Sequence, residues 1–184
     1  MIKVIAFDLV GVLVREKDID LSQEEDKIER MFGPNLSDSD FLREARNIIS
    51  NDSLLMRTTE NLIDRIYEVR EPKLFEKLKD KYPDIKIVIA TNHVSYIRDF
   101  IGEAFGLDYL DDFFISAEIK KIKPNADYYQ HILSELNIKP EEMLFLDDSQ
   151  VNIDGAKNIG INTIKVEKNT KLFEETINWL KDYK

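Results

Sequence analysis

Five short apolar runs, rich in β-branched and aromatic residues, recur along the chain at 2–7, 85–90, 113–116, 143–146 and 161–166. Runs this short and this continuously apolar predict strands buried on both faces. Between them the apolar spacing changes to three and four, which predicts helices. Over 93–104 the apolar face is Val94, Ile97 and Ile101, and over 125–136 it is Ala126, Tyr129, Ile132, Leu133 and Leu136, entered after Pro124. Over 151–159 it is Val151, Ile153, Ala156 and Ile159, closed by Gly160 as a C-terminal cap, and over 170–182 it is Phe173, Ile177 and Leu180. Strand–helix alternation of this kind builds right-handed βαβ units. The expected fold is therefore α/β: a Rossmann-like parallel sheet with helices on both faces.

Residues 16–70 break the alternation, because no convincing strand falls within them. Ser22 with Glu25 forms a capping box that opens a helix with Ile28, Met31 and Phe32 on its apolar face. Asp40 starts a second, with Phe41, Ala45, Ile48 and Ile49. Thr58 or Thr59 caps a third, with Leu62, Ile66 and Val69. Pro72 fits the first turn of a helix leading into the second strand. The expected organisation is a core of 1–15 and 71–184 interrupted by a small helical insertion at 16–70. The run "SDSD" at 37–40 reads as a polar turn and cap.

Composition narrows the partners. A chain of 184 residues, 43% apolar and 34% charged, is long enough for a real core. Acids outnumber bases 36 to 26, a net charge of −10 with no basic stripe. That disfavours nucleic acid and anionic membranes as partners, and any phosphate ligand needs a local cation or metal. Cysteine is absent, which excludes disulfides and thiolate metal sites. No apolar run approaches the roughly 20 residues of a membrane span, and no signal-peptide pattern opens the chain, so a cytoplasmic location is expected.

Three of the strands end at residues capable of chemistry: Asp8, then Thr91 and Asn92, then Asp147 and Asp148. Ligands of open parallel sheets bind beyond these carboxyl ends. Carboxylates gathered there repel one another unless a hard cation joins them, and Mg²⁺ takes one or two carboxylates plus water and phosphate oxygens. Asp8 can also act as a nucleophile, since carboxylates form aspartyl phosphates. Lys123 offsets the charge, while Thr91 and Asn92 can hold phosphoryl oxygens. Singly, each has a plainer reading: Asp8 as a cap or turn residue, the Thr91–Asn92 dipeptide as loop, Lys123 as solvated charge, and Asp147–Asp148 as a loop and N-cap. Their order after successive strands is what joins them. His93 and His131 lack partners at metal-ligand spacing and are expected at the surface or in caps.

These residues carry a family resemblance. The segments "FDLVGVL" (7–13), "IVIATN" (87–92), "KPNADYY" (123–129) and "MLFLDDSQVNIDGAKNIGINTI" (143–164) resemble, in order, the motifs of the haloacid dehalogenase-like hydrolase superfamily. The wording is similar to the branch with sugar-phosphate phosphatases and the phosphatase domain of soluble epoxide hydrolase. The resemblance implies that Asp8 attacks phosphorus in a small phosphorylated metabolite. It also implies that Asp8, Asp148 and the Val10 carbonyl bind Mg²⁺, with Asp147 as a further ligand or an acceptor behind it. Thr91, Asn92 and Lys123 would hold the phosphate, and Asn152 would order the loop behind the metal. The insertion at 16–70 sits where that branch has its cap domain.

One position departs from the pattern. The phosphatases of this superfamily usually carry a second aspartate two residues after the nucleophile, which protonates the leaving group and then activates water. Here Val10 has no proton to give, whereas general acid–base help is typically worth about 10²–10⁴-fold. Three readings stay open: a phosphatase that is weak or selective for good leaving groups, a 2-haloacid dehalogenase, and a catalytically degenerate binding protein. Arg43, Arg46, Arg57 and Arg65 are candidates to reach a substrate anion from the insertion, against the plainer reading of a solvated helix face.

Overall fold

The computed structural model describes residues 1–33 and 37–183. Strand β1 (Val4–Phe7) leads through a tight loop into β2 (Val14–Glu16). Three helices follow: α1 (Gln23–Glu29), α2 (Asp38–Ala45) and α3 (Asp52–Ile66), then β3 (Tyr67–Val69). From there strands and helices alternate: α4 (Leu74–Lys81), β4 (Lys86–Thr91), α5 (Ile97–Phe105), β5 (Asp112–Ile115), α6 (Ser116–Ile119) and α7 (Ala126–Glu135). The chain closes with β6 (Met143–Asp147), α8 (Gln150–Asn158), β7 (Asn162–Lys165) and α9 (Leu172–Asp182).

Five strands form one parallel sheet in the order β5-β4-β1-β6-β7. The first strand lies in the middle, with Ile5 opposite Ile87 on one side and Leu144 on the other. Alternation along β1 divides the core. Ile5 and Phe7 join Ile87, Ile89, Leu144 and Leu146 in one apolar layer, under α4, α5 and α9. Val4 and Ala6 join Val88, Ala90, Met143 and Phe145 in the other, under α7 and α8. All four residues of β1 are fully buried. Each large side chain so buried contributes roughly 1.5–3 kcal/mol, which is why the central strand is the most rigid place to mount a functional group.

All five predicted sheet strands are present, within two residues at each end. The helical insertion differs in detail. Two short strands, β2 and β3, pair antiparallel where the chain leaves and re-enters the sheet, with Val14 opposite Val69 and Glu16 opposite Tyr67. Three-residue strands offer too little alternation to be told from a helix tail, and Val69 accordingly belongs to β3 instead of a helical face. Asn51 caps α3, not Thr58 or Thr59. Thr59 is buried inside the helix and its hydroxyl donates to the Leu55 carbonyl at 2.9 Å, the back-bonding that lets threonine sit mid-helix. The capping box at Ser22 and Glu25 forms as expected, but α1 ends before Met31 and Phe32. Ser37 caps α2, so "SDSD" serves as turn and cap. Lys73, at φ 64°, separates Pro72 from α4. Val151 is 62% exposed because α8 turns it away from the sheet. The helices α1–α3 share their apolar layer with β1 and β4 through Ile28, Phe41, Leu55 and Leu62, joined by Phe32 from the turn after α1. Among the described residues no helix is long and apolar enough to cross a membrane.

One close approach fixes the edge of the future site. Gly155, inside α8, lies so near the loop before α7 that a Cβ there would meet the Pro124 carbonyl oxygen at 2.4 Å and its Cβ at 2.9 Å. The obstacle is backbone and cannot swing away. Ala is favoured over Gly in a helix by about 1 kcal/mol, whereas overpacking costs about 1–3 kcal/mol. Gly155→Ala is therefore expected to lower stability by about 1–2 kcal/mol despite its better helix propensity, as read by urea unfolding. A stabilised variant would show that the loop yields freely.

Candidate active site

The carboxyl ends of β1, β4 and β6 meet at one rim. Asp8 follows β1 directly, its main-chain N–H donating to the Leu146 carbonyl at 2.9 Å, so its position is tied to the neighbouring strand. Asp147 ends β6 and is fully buried. Lys123 reaches in from the loop before α7. Its ammonium lies 2.7 Å from Asp8 Oδ1 and 2.8 Å from Asp147 Oδ2, with the Phe145 ring centroid 5.4 Å away. Only 3% of Lys123 is exposed, so its charge is balanced almost wholly by these two carboxylates.

Each member of this triad is held from behind. Asn92 grips the main chain of Lys123 at both ends: Lys123 N donates to Asn92 Oδ1 at 2.9 Å and Asn92 Nδ2 donates to the Lys123 carbonyl at 3.0 Å. Asp147 accepts from Ser149 N at 2.7 Å and from Asn152 Nδ2 at 3.1 and 3.0 Å. Asn152 is steadied in turn by Tyr129, whose hydroxyl donates to its carbonyl at 2.8 Å. Thr91 is buried at the end of β4. The expectation that Asn92 presents its amide to a phosphate meets a different geometry, with both polar ends of the side chain engaged by Lys123.

Asp148 completes an acidic group. One carboxylate oxygen from each of Asp8, Asp147 and Asp148 lies within 4.8 Å of the others, and Asp148 is the exposed member. Gly11, at φ 84°, packs against it: a Cβ at Gly11 would sit 2.2 Å from Asp148 Oδ2. Only glycine suits both the backbone angle and that contact. The donors are all hard oxygens with no histidine or cysteine among them, which suits Mg²⁺ or a similar cation. Asp147 is already saturated by Lys123, Ser149 and Asn152, which leaves Asp8 and Asp148 as the acids able to turn toward an ion. Val10 lines a cavity of about 460 Å³ beside Asp148.

The electrostatics favour a cation beside these acids. Burial pushes the Asp8 carboxyl up to about 7; Lys123 opposes the shift and Asp147 adds to it. Asp148 is raised as well, by desolvation and by Asp147. Burial works to lower the Lys123 ammonium, but the pull of Asp8 and Asp147 outweighs it and holds the group above its usual value. One ammonium does not offset three acids.

Several residues acquire roles that sequence alone did not suggest. His93, expected at the surface, is buried; its Nε2 lies 3.1 Å from the Tyr67 hydroxyl and its Nδ1 lies 3.1 Å from the Val94 carbonyl. Burial drives its pKa down to about 4, so the ring is neutral. It therefore acts as a polar link between β3 and the loop after β4. His131 lies edge-on to Phe114 with ring centroids 6.1 Å apart. The insertion arginines pair locally: Arg43 with Asp40, Arg46 with Asp52, and Arg65 with Glu25, while Arg57 is exposed. Arg70, which no motif marked, donates to the carbonyl of Gly11 and to those of Glu167, Lys168 and Thr170. A single arginine with a backbone role leaves no sequence signature.

The comparisons with known proteins follow this geometry. The family described as haloacid dehalogenase-like hydrolase matches residues 2–160. The phosphorylated carbohydrates phosphatase of Thermotoga maritima is 26% identical over 136 residues, covering 66% of this chain and 62% of that protein. This chain thus spans less than two thirds of that relative's length. Bifunctional epoxide hydrolase 2 of Rattus norvegicus is 37% identical over 65 residues, 35% of this chain and 12% of that protein. Among solved structures, a haloacid dehalogenase-family enzyme of Bacteroides thetaiotaomicron, in complex with magnesium and inorganic phosphate, superposes with a TM-score of 0.72 at 17% identity. It covers 95% of this chain and 99% of its own. That likeness establishes the shared fold.

A stability test follows from Asp8. A carboxyl whose folded pKa is raised contributes stability that is present below its unfolded value near 4 and lost as pH rises through about 7. With divalent ions chelated, Asp8→Asn, which mimics the neutral acid, should melt above the wild type at pH 8 by a few degrees, on the order of 5 °C. The gap should narrow at pH 5. Thermal melts at the two pH values check this; a constant gap, or a variant less stable at pH 8, would contradict the electrostatic account.

Proposed function

The chain belongs to the haloacid dehalogenase-like hydrolase family, and from that premise we propose that it is a Mg²⁺-dependent phosphatase, acting on a small phosphorylated metabolite through an aspartyl phosphate on Asp8. The observation that carries this reading is the buried Lys123 ammonium bridging Asp8 and Asp147, with the exposed Asp148 alongside. A nucleophilic carboxylate, a fixed cation and an acidic cation site stand together at one strand rim. The magnesium and phosphate bound to the similarly folded Bacteroides enzyme support the same reading.

In this proposal Asp8, Asp148 and the main-chain carbonyl of Val10 hold the cation, with Asp147 behind them. When bound, Mg²⁺ supplies charge neutralisation for the phosphoryl oxygens. An Asp8 carboxylate oxygen attacks phosphorus, the bond from phosphorus to the ester oxygen breaks, and that oxygen departs with the electron pair. Water then attacks the aspartyl phosphate, releasing inorganic phosphate and restoring Asp8. Lys123 opposes the burial that raises the Asp8 carboxyl, favouring its ionised form, and meets the phosphoryl group; the Thr91 hydroxyl donates to another of its oxygens. Asn92 and Asn152 act one step removed, by fixing Lys123 and Asp147. Segment 16–70 serves as a cap over the core of 1–15 and 71–184, with β2 and β3 as its two crossings.

Val10 shapes the specificity. With no proton to offer, it favours leaving groups that depart as stabilised anions, such as sugar 1-phosphates and acyl phosphates. A dehalogenase reading shares the fold and the missing acid, but it gives no reason to gather Asp147 and Asp148 beside Asp8. A pure binding role likewise gives no reason for a buried carboxylate held ready at a cation site.

The reading makes a graded prediction. Aryl phosphate hydrolysis should require Mg²⁺ and vanish in Asp8→Asn. Val10→Asp should raise kcat on a poorly leaving alkyl phosphate by about tenfold or more, and on an aryl phosphate by much less. Steady-state kinetics on the two esters decide it: equal gains would refute the missing-acid account, and residual turnover in Asp8→Asn would move the nucleophile elsewhere.

A further inference from the structure

The cavity of about 460 Å³ beside Val10, Gly11 and Asp148 is also lined by Arg15, Arg70 and Lys168. Its size suits one small metabolite. Of the six other arginines, Arg57 is exposed on α3, away from this cavity, and Arg30, Arg43, Arg46, Arg65 and Arg98 each pair with a carboxylate. Arg15 and Arg70 do not: among the described residues no carboxylate lies within ion-pair distance of either. Their hydrogen bonds go only to main-chain carbonyls. Arg15 donates to that of Lys168 at 3.2 Å, and Arg70 donates to those of Gly11, Glu167, Lys168 and Thr170. Carbonyls orient a guanidinium without cancelling its charge.

This is anomalous in a protein of net charge −10. The two guanidiniums are also close enough to disfavour each other. Arg70 is held below its usual pKa first by burial and then by Arg15, against the opposing pull of Asp148 and Glu71. Of the acids on the same cavity wall, Glu167 is held by Lys165 at 3.4 Å, Asp148 belongs to the acidic group beside Asp8 and forms no ion pair with either arginine, and Glu16, on β2, forms none among the described residues. This pair of like charges, fixed by the backbone and facing a cavity at the edge of the catalytic rim, has no carboxylate at ion-pair distance among the described residues.

We propose that Arg15 and Arg70 form a subsite for a second anionic group of the substrate, a carboxylate or a second phosphate, so that the preferred substrates are phosphate esters carrying another acid. The proposal rests on the phosphatase reading above for where the first phosphate sits. Arg70 is the half-buried anchor, tied through the Gly11 carbonyl to the loop that carries Asp8 and Val10. Arg15, exposed on the two-stranded ribbon at the base of the insertion, is the reaching group and the specificity determinant.

The test uses ligands that cannot turn over. With Mg²⁺ present, calorimetry compares ω-phosphonocarboxylates of three to five carbons with the ω-hydroxyalkylphosphonates of equal length. At one or more lengths the wild type should bind the carboxylate member about tenfold or more tightly, the worth of one charge-assisted contact. Arg15→Gln should bring that ratio to within about threefold, and Arg15→Lys should keep most of it, with unchanged melting temperatures showing that both variants fold. Equal binding of the paired ligands by the wild type at every length overturns the proposal, as does a ratio that survives in Arg15→Gln. The phosphatase reading fails on a separate measurement, the absence of Mg²⁺-dependent aryl phosphate turnover.

Discussion

The candidate site depends on one buried ammonium. Lys123 lies between Asp8 and Asp147 at 2.7 and 2.8 Å with almost no access to water. Burying three charges is unfavourable, and their mutual attraction compensates only when the geometry is close and every remaining polar atom is satisfied. That requirement explains the surrounding structure. Asn92 fixes the Lys123 main chain, and Ser149 and Asn152 occupy Asp147. Without Lys123, two carboxylates would face each other inside the sheet rim, a cost of about 3–5 kcal/mol. Stability and chemistry thus hang on the same contact.

The arrangement also divides labour between adjacent acids. Asp147, buried and saturated, cannot easily leave Lys123, whereas Asp148 is exposed and lies against Gly11. Two neighbouring residues of the same type thereby gain different duties from burial alone. One is a counter-ion to the lysine, and the other remains open to a metal. The raised pKa of Asp8 belongs to the same logic, since a carboxylate deprived of water by burial, and crowded by Asp147, is stabilised by a further cation.

How much of this was legible in the sequence follows from the range of the interactions. Five sheet strands stood out because buried parallel strands are continuous apolar runs, and their polar ends marked Asp8, Thr91 and Asp147 without any long-range information. The capping box at Ser22 and Glu25 is local and read correctly. The short ribbon of β2 and β3 was not legible, because three residues carry too little periodicity and the pairing joins positions far apart in the chain. The same holds for His93, whose burial depends on Tyr67 and Phe32 arriving from other elements. Arg70 acts on backbone carbonyls about 60 and 100 residues away. The Asn92 side chain was placed at the rim, but its hold on the Lys123 main chain was not legible, since it requires the loop before α7 to fold back beside β4.

Positions 10 and 11 show which demands of this loop are rigid and which are free. Gly11 is fixed twice over, by its left-handed φ and by the carboxylate of Asp148 where a side chain would begin. Its carbonyl is also held by Arg70, so the peptide carrying it has little freedom to turn. Val10 has no such obligation, for its side chain lines a cavity and a main-chain carbonyl is common to every residue. An acid at position 10 can therefore be lost without disturbing the loop, the glycine contact or the acidic cluster. In the phosphatase proposed above, what changes is the supply of protons to a leaving group, and with it the kind of ester that would react. The scaffold constrains the backbone here and leaves the chemistry of position 10 open to selection by the substrate.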